Sequence, residues 1–127
     1  MSDEMSADEY RNQKPAKMSK YRNVKVEVDN IRFDSKAEAE RYWDLKQLER
    51  AGEISDLELQ PAYPLLVQGV KIAVYKADFR YVDGEGEIVV EDVKSEATKT
   101  PVYRLKKKHI KAQYGIDIVE ITRGRAA

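Results

Sequence analysis

Two stretches in the second half of the chain, residues 72–81 and 88–94, are rich in β-branched and aromatic residues, and in the first of them the polar residues Lys76, Asp78 and Arg80 occupy every second position. Alternation with a period of two is typical of β-strands that bury one face. Between the two stretches lies Asp-Gly-Glu-Gly, residues 83–86, which tolerates the positive φ angles of a tight turn. The pattern therefore predicts a β-hairpin over residues 75–95.

This hairpin carries charged residues in places where strands rarely have them. Asp78 lies within the first predicted strand, and Asp92 and Lys94 lie at the end of the second. Two carboxylates and an ammonium brought together suit metal-assisted phosphodiester hydrolysis, because Mg²⁺ prefers oxygen ligands and a lysine can offset charge on the phosphate. The spacing alone fits a cross-strand salt bridge equally well.

A helix is predicted before the hairpin, over residues 36–51. Ser35 is its expected N-cap and Gly52 its stop. Glu38 lies in the first turn on the inward face; its role as capping-box partner of Ser35 is a sufficient explanation and does not exclude a second role. Arg41 is expected to lie in solvent, near DNA.

A second helix is predicted after the hairpin, from Thr100-Pro101 to about Gly115. Residues 97–116 contain no acidic side chain, although the net charge of the whole chain is zero. This segment is either a phosphate-binding face or a solvated helix face. Its basic residues are Lys99, Arg104, Lys106, Lys107, Lys108 and Lys111.

The remaining pattern predicts short strands and two tails. Residues 24–33 form a small hairpin, residues 54–59 and 62–67 form strands interrupted by Gln60-Pro61, and residues 116–121 form a last strand. Gln60 is expected to project from a strand end toward the site. Residues 1–20 are expected to be a disordered tail, residues 21–121 a single domain and residues 122–127 a frayed tail.

Composition limits the chemistry and the compartment. The 127 residues, 42% of them hydrophobic, are enough for one folded domain. The chain has no cysteine and one histidine, His109, which excludes thiolate and multi-histidine metal sites and leaves His109 a structural role. No apolar run approaches the length of a membrane span and no signal peptide is evident. We expect a soluble, cytoplasmic protein with no membrane partner.

The order of elements predicts an α/β (α+β) fold in which a mixed sheet is flanked by helices and preceded by the small hairpin. This order, with the runs KYRNVKVEVDNIRFDSKAEAERY, LELQP, ADFRY and VVEDVKS, resembles the PD-(D/E)xK, or restriction-endonuclease-like, nuclease superfamily. More narrowly it is similar to a family of small phage-encoded proteins known only as a domain of unknown function, often found beside phage recombination functions. The resemblance covers about residues 20–121.

The resemblance implies a set of catalytic residues: Glu38, Asp78, Asp92 and Lys94. Asp78 and Asp92 would be Mg²⁺ ligands, with Glu38 completing the metal site and Mn²⁺ as a substitute cation. The motif name has proline at the position of Ala77. This position supplies no metal ligand, so the difference leaves the assignment standing. Glu91 is a competing carboxylate, but strand alternation turns it away from Lys94.

The resemblance also implies a function, a Mg²⁺-dependent endodeoxyribonuclease acting on branched or junction DNA in phage recombination or replication. DNA would be the partner, a homodimer would suit a junction resolvase, and the compartment would be the host cytoplasm. The residues expected to bind nucleic acid are Gln60, Lys99, Arg104, Lys107, Lys108 and Lys111. The alternatives are a DNA-binding accessory protein with the same fold that does not cleave, and a protein-interaction subunit whose Asp-Lys cluster is structural.

Overall fold

A computed structural model describes residues 26–122 of the chain. The elements, in chain order, are β1 Val26–Val28, β2 Ile31–Phe33, α1 Lys36–Arg50, β3 Ser55–Leu59, β4 Ala62–Val67, β5 Val70–Lys76, β6 Phe79–Val82, β7 Ile88–Val93, a 3₁₀ turn Glu96–Thr98, α2 Pro101–Tyr114 and β8 Val119–Ile121. The predicted mixed α+β class is confirmed. The chain divides into two units, Met1–Glu40 and Arg41–Ala127, with the boundary inside α1.

The described part of the first unit is the small hairpin and the start of α1. Strands β1 and β2 pair antiparallel around Asp29 and Asn30, whose φ angles of 56° and 67° are left-handed. Asp and Asn tolerate this conformation better than other residues with a side chain, so the described part of the hairpin predicted over residues 24–33 forms with its turn at these two residues. The predicted start of α1 is also confirmed, because Ser35 Oγ accepts a hydrogen bond of 3.1 Å from the Glu38 backbone N–H.

The second unit contains a four-stranded sheet in the order β3-β6-β7-β8. Strand β6 pairs antiparallel with both β3 and β7, and β8 pairs parallel with β7. Helix α2 connects the two parallel strands, as a parallel connection requires. It begins at Thr100, whose side chain accepts from the Tyr103 N–H, and ends at Gly115 with a left-handed φ of 74°. Both predicted ends of α2 are confirmed.

The prediction of one continuous strand over residues 72–81 is wrong. The chain forms β5, which pairs with β4, and then β6, which pairs with β3 and β7. The break at Ala77 and Asp78 lies opposite Gln60 and Pro61, where Gln60 has a φ of 52° and proline has no N–H for a ladder. The pairs Leu59↔Phe79 and Ala62↔Lys76 keep one register, so β3–β4 and β5–β6 form a single bent ribbon.

The core of this unit lies between α2, the β4–β5 hairpin and β7. Its buried members are Leu65, Tyr75, Ala77, Val90, Tyr103, Ile110 and Ile118. His109 also faces the hairpin, with Nε2 lying 3.0 Å from the Leu66 carbonyl oxygen. The packing places Val90, and with it the alternate residues of β7, on the side of the sheet that faces α2.

Within residues 26–122, no helix has both the length and the apolar character needed to cross a bilayer. The tail predicted at residues 1–20 and the last residues of the predicted C-terminal tail, 123–127, lie outside the described part of the chain.

Candidate active site

Asp78 and Asp92 hold each other in place at the bend of the ribbon. The pair Phe79↔Glu91 sets the register that places Asp78 opposite Asp92, on the same face of the sheet. Asp92 Oδ1 accepts a hydrogen bond of 2.9 Å from the Asp78 N–H, and Asp78 Oδ2 accepts one of 2.8 Å from the Val93 N–H. Each carboxylate is thus fixed by the backbone of the other strand, and the two side chains lie together.

Asp92 is a buried acid, with 3% of its surface exposed. Burial raises the pKa of Asp92 to about 7, against the opposing effect of the nearby Lys94 charge. The Tyr75 hydroxyl donates to the second carboxylate oxygen, Oδ2. Near neutral pH the isolated protein therefore holds Asp92 partly protonated, and a cation bound to this carboxylate would offset the cost of its burial.

Lys94 follows Asp92 on the same face of the sheet. Its backbone N–H donates to the Ile121 carbonyl of β8 at 2.9 Å, which fixes the main chain. Its Nζ lies 4.2 Å from the centroid of the Tyr103 ring. Across the described residues, Lys94 forms no salt bridge, so the cross-strand salt bridge that could have explained the Asp-Lys pattern is not what the structure has.

Sequence reasoning missed Glu120, the residue of β8 that pairs with Asp92. Glu120 accepts hydrogen bonds from the Tyr103 hydroxyl at 2.7 Å and from Lys107 Nζ at 3.0 Å, and Lys99 Nζ lies 3.2 Å from its other oxygen. The Tyr103 hydrogen bond and the lysines lower the pKa of Glu120 to about 2. A charged residue between Val119 and Ile121 was the available signal, but only the parallel pairing of β8 shows what it faces.

Glu91 lies on the opposite face of β7 and is 1% exposed. Arg41 of α1 binds it through two hydrogen bonds, Nε to Oε1 at 2.8 Å and Nη2 to Oε2 at 2.6 Å. The Tyr81 hydroxyl donates to Oε2 as well. The prediction that Glu91 turns away from Lys94 is confirmed. The prediction of a solvated Arg41 is wrong, because its guanidinium pairs with the buried Glu91 carboxylate, which needs a cation.

Two carboxylates, rather than three, form the candidate metal centre. Among residues 26–122, no three Asp, Glu, His or Cys side chains gather closely enough to hold an ion. Asp78 and Asp92 nevertheless fit Mg²⁺, which proteins commonly bind through one or two carboxylates together with waters and substrate phosphate oxygens. Glu38 lies in the first turn of α1, in the first unit, and its predicted part in the metal site stays a prediction.

The residues predicted to bind nucleic acid fall into two groups. Lys99 and Lys107 pair with Glu120, and Lys111 pairs with Asp117 at 2.7 Å. Arg104 and Lys108 are exposed, and in the described part of the chain neither forms an ion pair. Gln60 is exposed directly opposite Asp78, to whose carbonyl its N–H donates at 2.9 Å. Lys106 likewise forms no ion pair among the described residues, but its Nζ donates to the Val74 carbonyl oxygen at 3.1 Å, so the exposed and unpaired charge of α2 lies at Arg104 and Lys108.

Because the pKa of Asp92 is raised, we expect Asp92→Asn to gain stability relative to the wild type as pH rises. The folded pKa lies above the ordinary value, so between about pH 4 and 7 the Asp92 carboxyl binds more protons in the folded state, and its contribution to the free energy of unfolding falls as pH rises. The amide does not titrate, so its advantage over wild type should grow by about 2 to 3 kcal/mol between pH 5 and pH 8. Urea unfolding in EDTA at both pH values measures it; an equal difference at both would contradict the assignment.

Comparison with protein families gives one finding for this chain. Residues 18–123 match the family described as "Protein of unknown function (DUF1064)". A search of curated proteins found no match, and neither did a search of solved structures. The matched segment spans both helices and all eight strands described above. The chain therefore belongs to the DUF1064 family of proteins of unknown function.

Proposed function

We propose that this chain is a Mg²⁺-dependent endodeoxyribonuclease with a restriction-endonuclease-like, PD-(D/E)xK core. The observation that carries the proposal is the Asp78–Asp92 pair, in which each side chain accepts a backbone hydrogen bond from the opposite strand. Lys94 lies on the same face and is not neutralised by a salt bridge within residues 26–122. Two adjacent carboxylates with a free ammonium beside them suit hydrolysis of a phosphodiester.

The order of the elements supports the same proposal. Helix α1 is followed by the antiparallel strands β3, β6 and β7, then by α2 and the parallel strand β8. The proposed core has the order helix, three-stranded meander, helix and strand, and this order of elements is compatible with it if β4 and β5 are taken as a hairpin that extends two of the strands. Asp78 lies at the bend, immediately before the second strand of that meander, and Asp92 lies on the third.

The chain's own groups have separate parts in the proposed reaction. Asp78 and Asp92 would hold the cation, which when bound supplies an activated water and a charge on the phosphate oxygens. Lys94 orients the attacking water and offsets the negative charge that develops on the phosphate. Asp78 lies at the bend of the ribbon, where the chain leaves β5, which pairs with β4, and enters β6, which pairs with β3 and β7.

A DNA-binding accessory protein that does not cleave is the second candidate, since it would use the basic residues of α2 alone. Burial of Asp92 favours the nuclease. Asp92 is 3% exposed and its pKa is raised to about 7, so it destabilises the fold when it ionises. A surface that only binds phosphate gains nothing from such a residue.

Cleavage of supercoiled plasmid and of synthetic four-way junctions tests the proposal. The wild-type protein should nick or cut one of these substrates with Mg²⁺ and not with Ca²⁺ or EDTA. Asp78→Asn should abolish cleavage, whereas the exposed Asp56→Asn, at a left-handed position that asparagine tolerates, should cleave as the wild type does. Binding of either DNA by the wild type without any cleavage in Mg²⁺ or Mn²⁺ would support the accessory protein instead.

Charge reversal on α2 should separate DNA binding from cleavage chemistry. Lys108→Glu removes an exposed, unpaired cation, so affinity should fall for all DNA sequences, and the slope of log K against log salt should decrease by about one. Lys71→Glu, an exposed residue of β5, is the matched control and should change neither quantity. Fluorescence anisotropy over a salt series measures both. Equal slopes for the two variants would mean that this face of α2 is solvated and does not contact DNA phosphates.

A further inference from the structure

Lys94 has an aromatic partner where a carboxylate would have been expected. Its Nζ lies 4.2 Å from the Tyr103 ring centroid, within the range of a cation–π interaction. A carboxylate partner would cancel the ammonium charge and occupy its N–H donors. A ring face holds the ammonium and leaves the charge and the donors available to a phosphate or a water.

The Tyr103 ring is itself held on several sides. Tyr103 is 7% exposed and lies in the first turn of α2. Its backbone N–H donates to Thr100 Oγ1 at 3.1 Å. Its hydroxyl donates to Glu120 Oε2 at 2.7 Å, and Glu120 is the β8 residue paired with Asp92. The ring of Tyr75, whose hydroxyl donates to Asp92, lies 6.4 Å away between centroids. The ring is therefore held by two residues that adjoin Asp92: Glu120, its partner on β8, and Tyr75, whose hydroxyl donates to it.

These contacts hold the Lys94 side chain, which has many rotamers, in one position. A lysine loses about as much rotamer freedom on ordering as any residue, so an unsupported Lys94 would spend much of its time away from the carboxylates. The ring, fixed to β8 through Glu120, supports the ammonium on the Asp92 side of the sheet. The backbone of Lys94, whose N–H donates to the Ile121 carbonyl oxygen, fixes the other end of the side chain.

We propose that Tyr103 is a positioning residue, whose ring holds the Lys94 ammonium beside the Asp78–Asp92 pair. The inference rests on the proposed nuclease function, and it names the group that orders the reactive lysine. Tyr103 acts through Lys94 and needs only its ring to do so. The hydroxyl serves to anchor the ring through Glu120.

Spectroscopy of Lys94 and kinetics of two variants test the proposal together. In protein with ¹³C at lysine Cε, the Lys94 cross-peak, assigned by its loss in Lys94→Arg, should lie upfield because it sits over a ring. Tyr103→Leu should remove that shift and lower kcat by roughly three- to thirty-fold at little change in KM. Tyr103→Phe keeps the ring, and it should keep the shift and recover most of the lost rate. Tyr114→Leu, on the same helix and facing Tyr63, is the control and should change neither.

The outcomes separate this proposal from the nuclease itself. A Lys94 cross-peak without an upfield shift in the wild type overturns the placement, whether or not the protein cleaves DNA. A shift that is lost in Tyr103→Leu while cleavage continues at the wild-type rate overturns the role and leaves the nuclease standing. If Tyr103→Leu does not fold, the wild-type shift and a Tyr103→Phe variant with the shift and most of the rate still support the proposal. Loss of the shift in Tyr103→Phe contradicts it.

Discussion

Replacing Lys94 with alanine is expected to slow Mg²⁺-dependent cleavage by about 10²-fold or more, the effect of removing a group that stabilises transition-state charge. Lys94 is the cation on the same face of the sheet as Asp78 and Asp92 that forms no salt bridge within residues 26–122. Its charge is therefore available to the phosphate. Single-turnover cleavage of labelled DNA at saturating protein measures the chemical step without the binding step.

Two controls accompany this prediction. DNA binding in Ca²⁺ should largely survive in Lys94→Ala, because the carboxylate pair and the basic residues of α2 remain. The melting temperature should change little, since no buried carboxylate loses a salt-bridge partner. Lys71→Ala, exposed on the β4–β5 hairpin, should cleave at the wild-type rate. A Lys94→Ala protein that melts far lower and still cleaves normally would contradict the catalytic role.

Removing Arg41 is expected to have the largest effect on stability. Glu91 is 1% exposed, and Arg41→Ala removes its bidentate partner, so the free energy of unfolding should fall by roughly 3 to 5 kcal/mol. Urea unfolding followed by circular dichroism measures the loss. Lys46→Ala, whose partner Glu49 lies on the same helix surface, should cost less than about 0.5 kcal/mol.

A double-mutant cycle shows whether the loss comes from the stranded carboxylate. Glu91→Gln removes the charge that Arg41 neutralises, so the double variant Arg41→Ala/Glu91→Gln should be more stable than Arg41→Ala alone. A cycle in which the two changes simply add would mean that Arg41 and Glu91 stabilise the fold independently.

Features with local causes were predictable from the sequence. The start of α1 depends on Ser35 and the start of α2 on Thr100, each of which caps residues three positions away. The hairpin turn depends on Asp83, whose side chain accepts from the N–H groups of Glu85 and Glu87 at 2.9 Å each. The neighbouring positions of Asp78 and Asp92 also followed, because the turn sets the register of β6 against β7.

Features set by distant partners were not predictable in the same way. The polar residues at positions 76, 78 and 80 alternate with apolar ones across the break, so nothing local shows that the chain changes sheets at Ala77 and Asp78. The parallel pairing of β8, which brings Glu120 beside Asp92, depends on how α2 crosses the sheet. Arg41 lies 50 positions from Glu91 along the chain. The charged residues around it in α1 are typical of a solvent-exposed helix face. These partners become visible only once the strands are placed.

The most direct measurement of the central claim is the anomalous scattering of Mn²⁺ in crystals of the wild type and of Asp78→Asn. We expect one peak between the carboxylates of Asp78 and Asp92 in the wild type, and none there in the variant. A wild-type crystal with full-occupancy Mn²⁺ elsewhere and none at this pair, at a pH well above 7 where Asp92 is ionised, would contradict the claim that these two carboxylates form a divalent metal site.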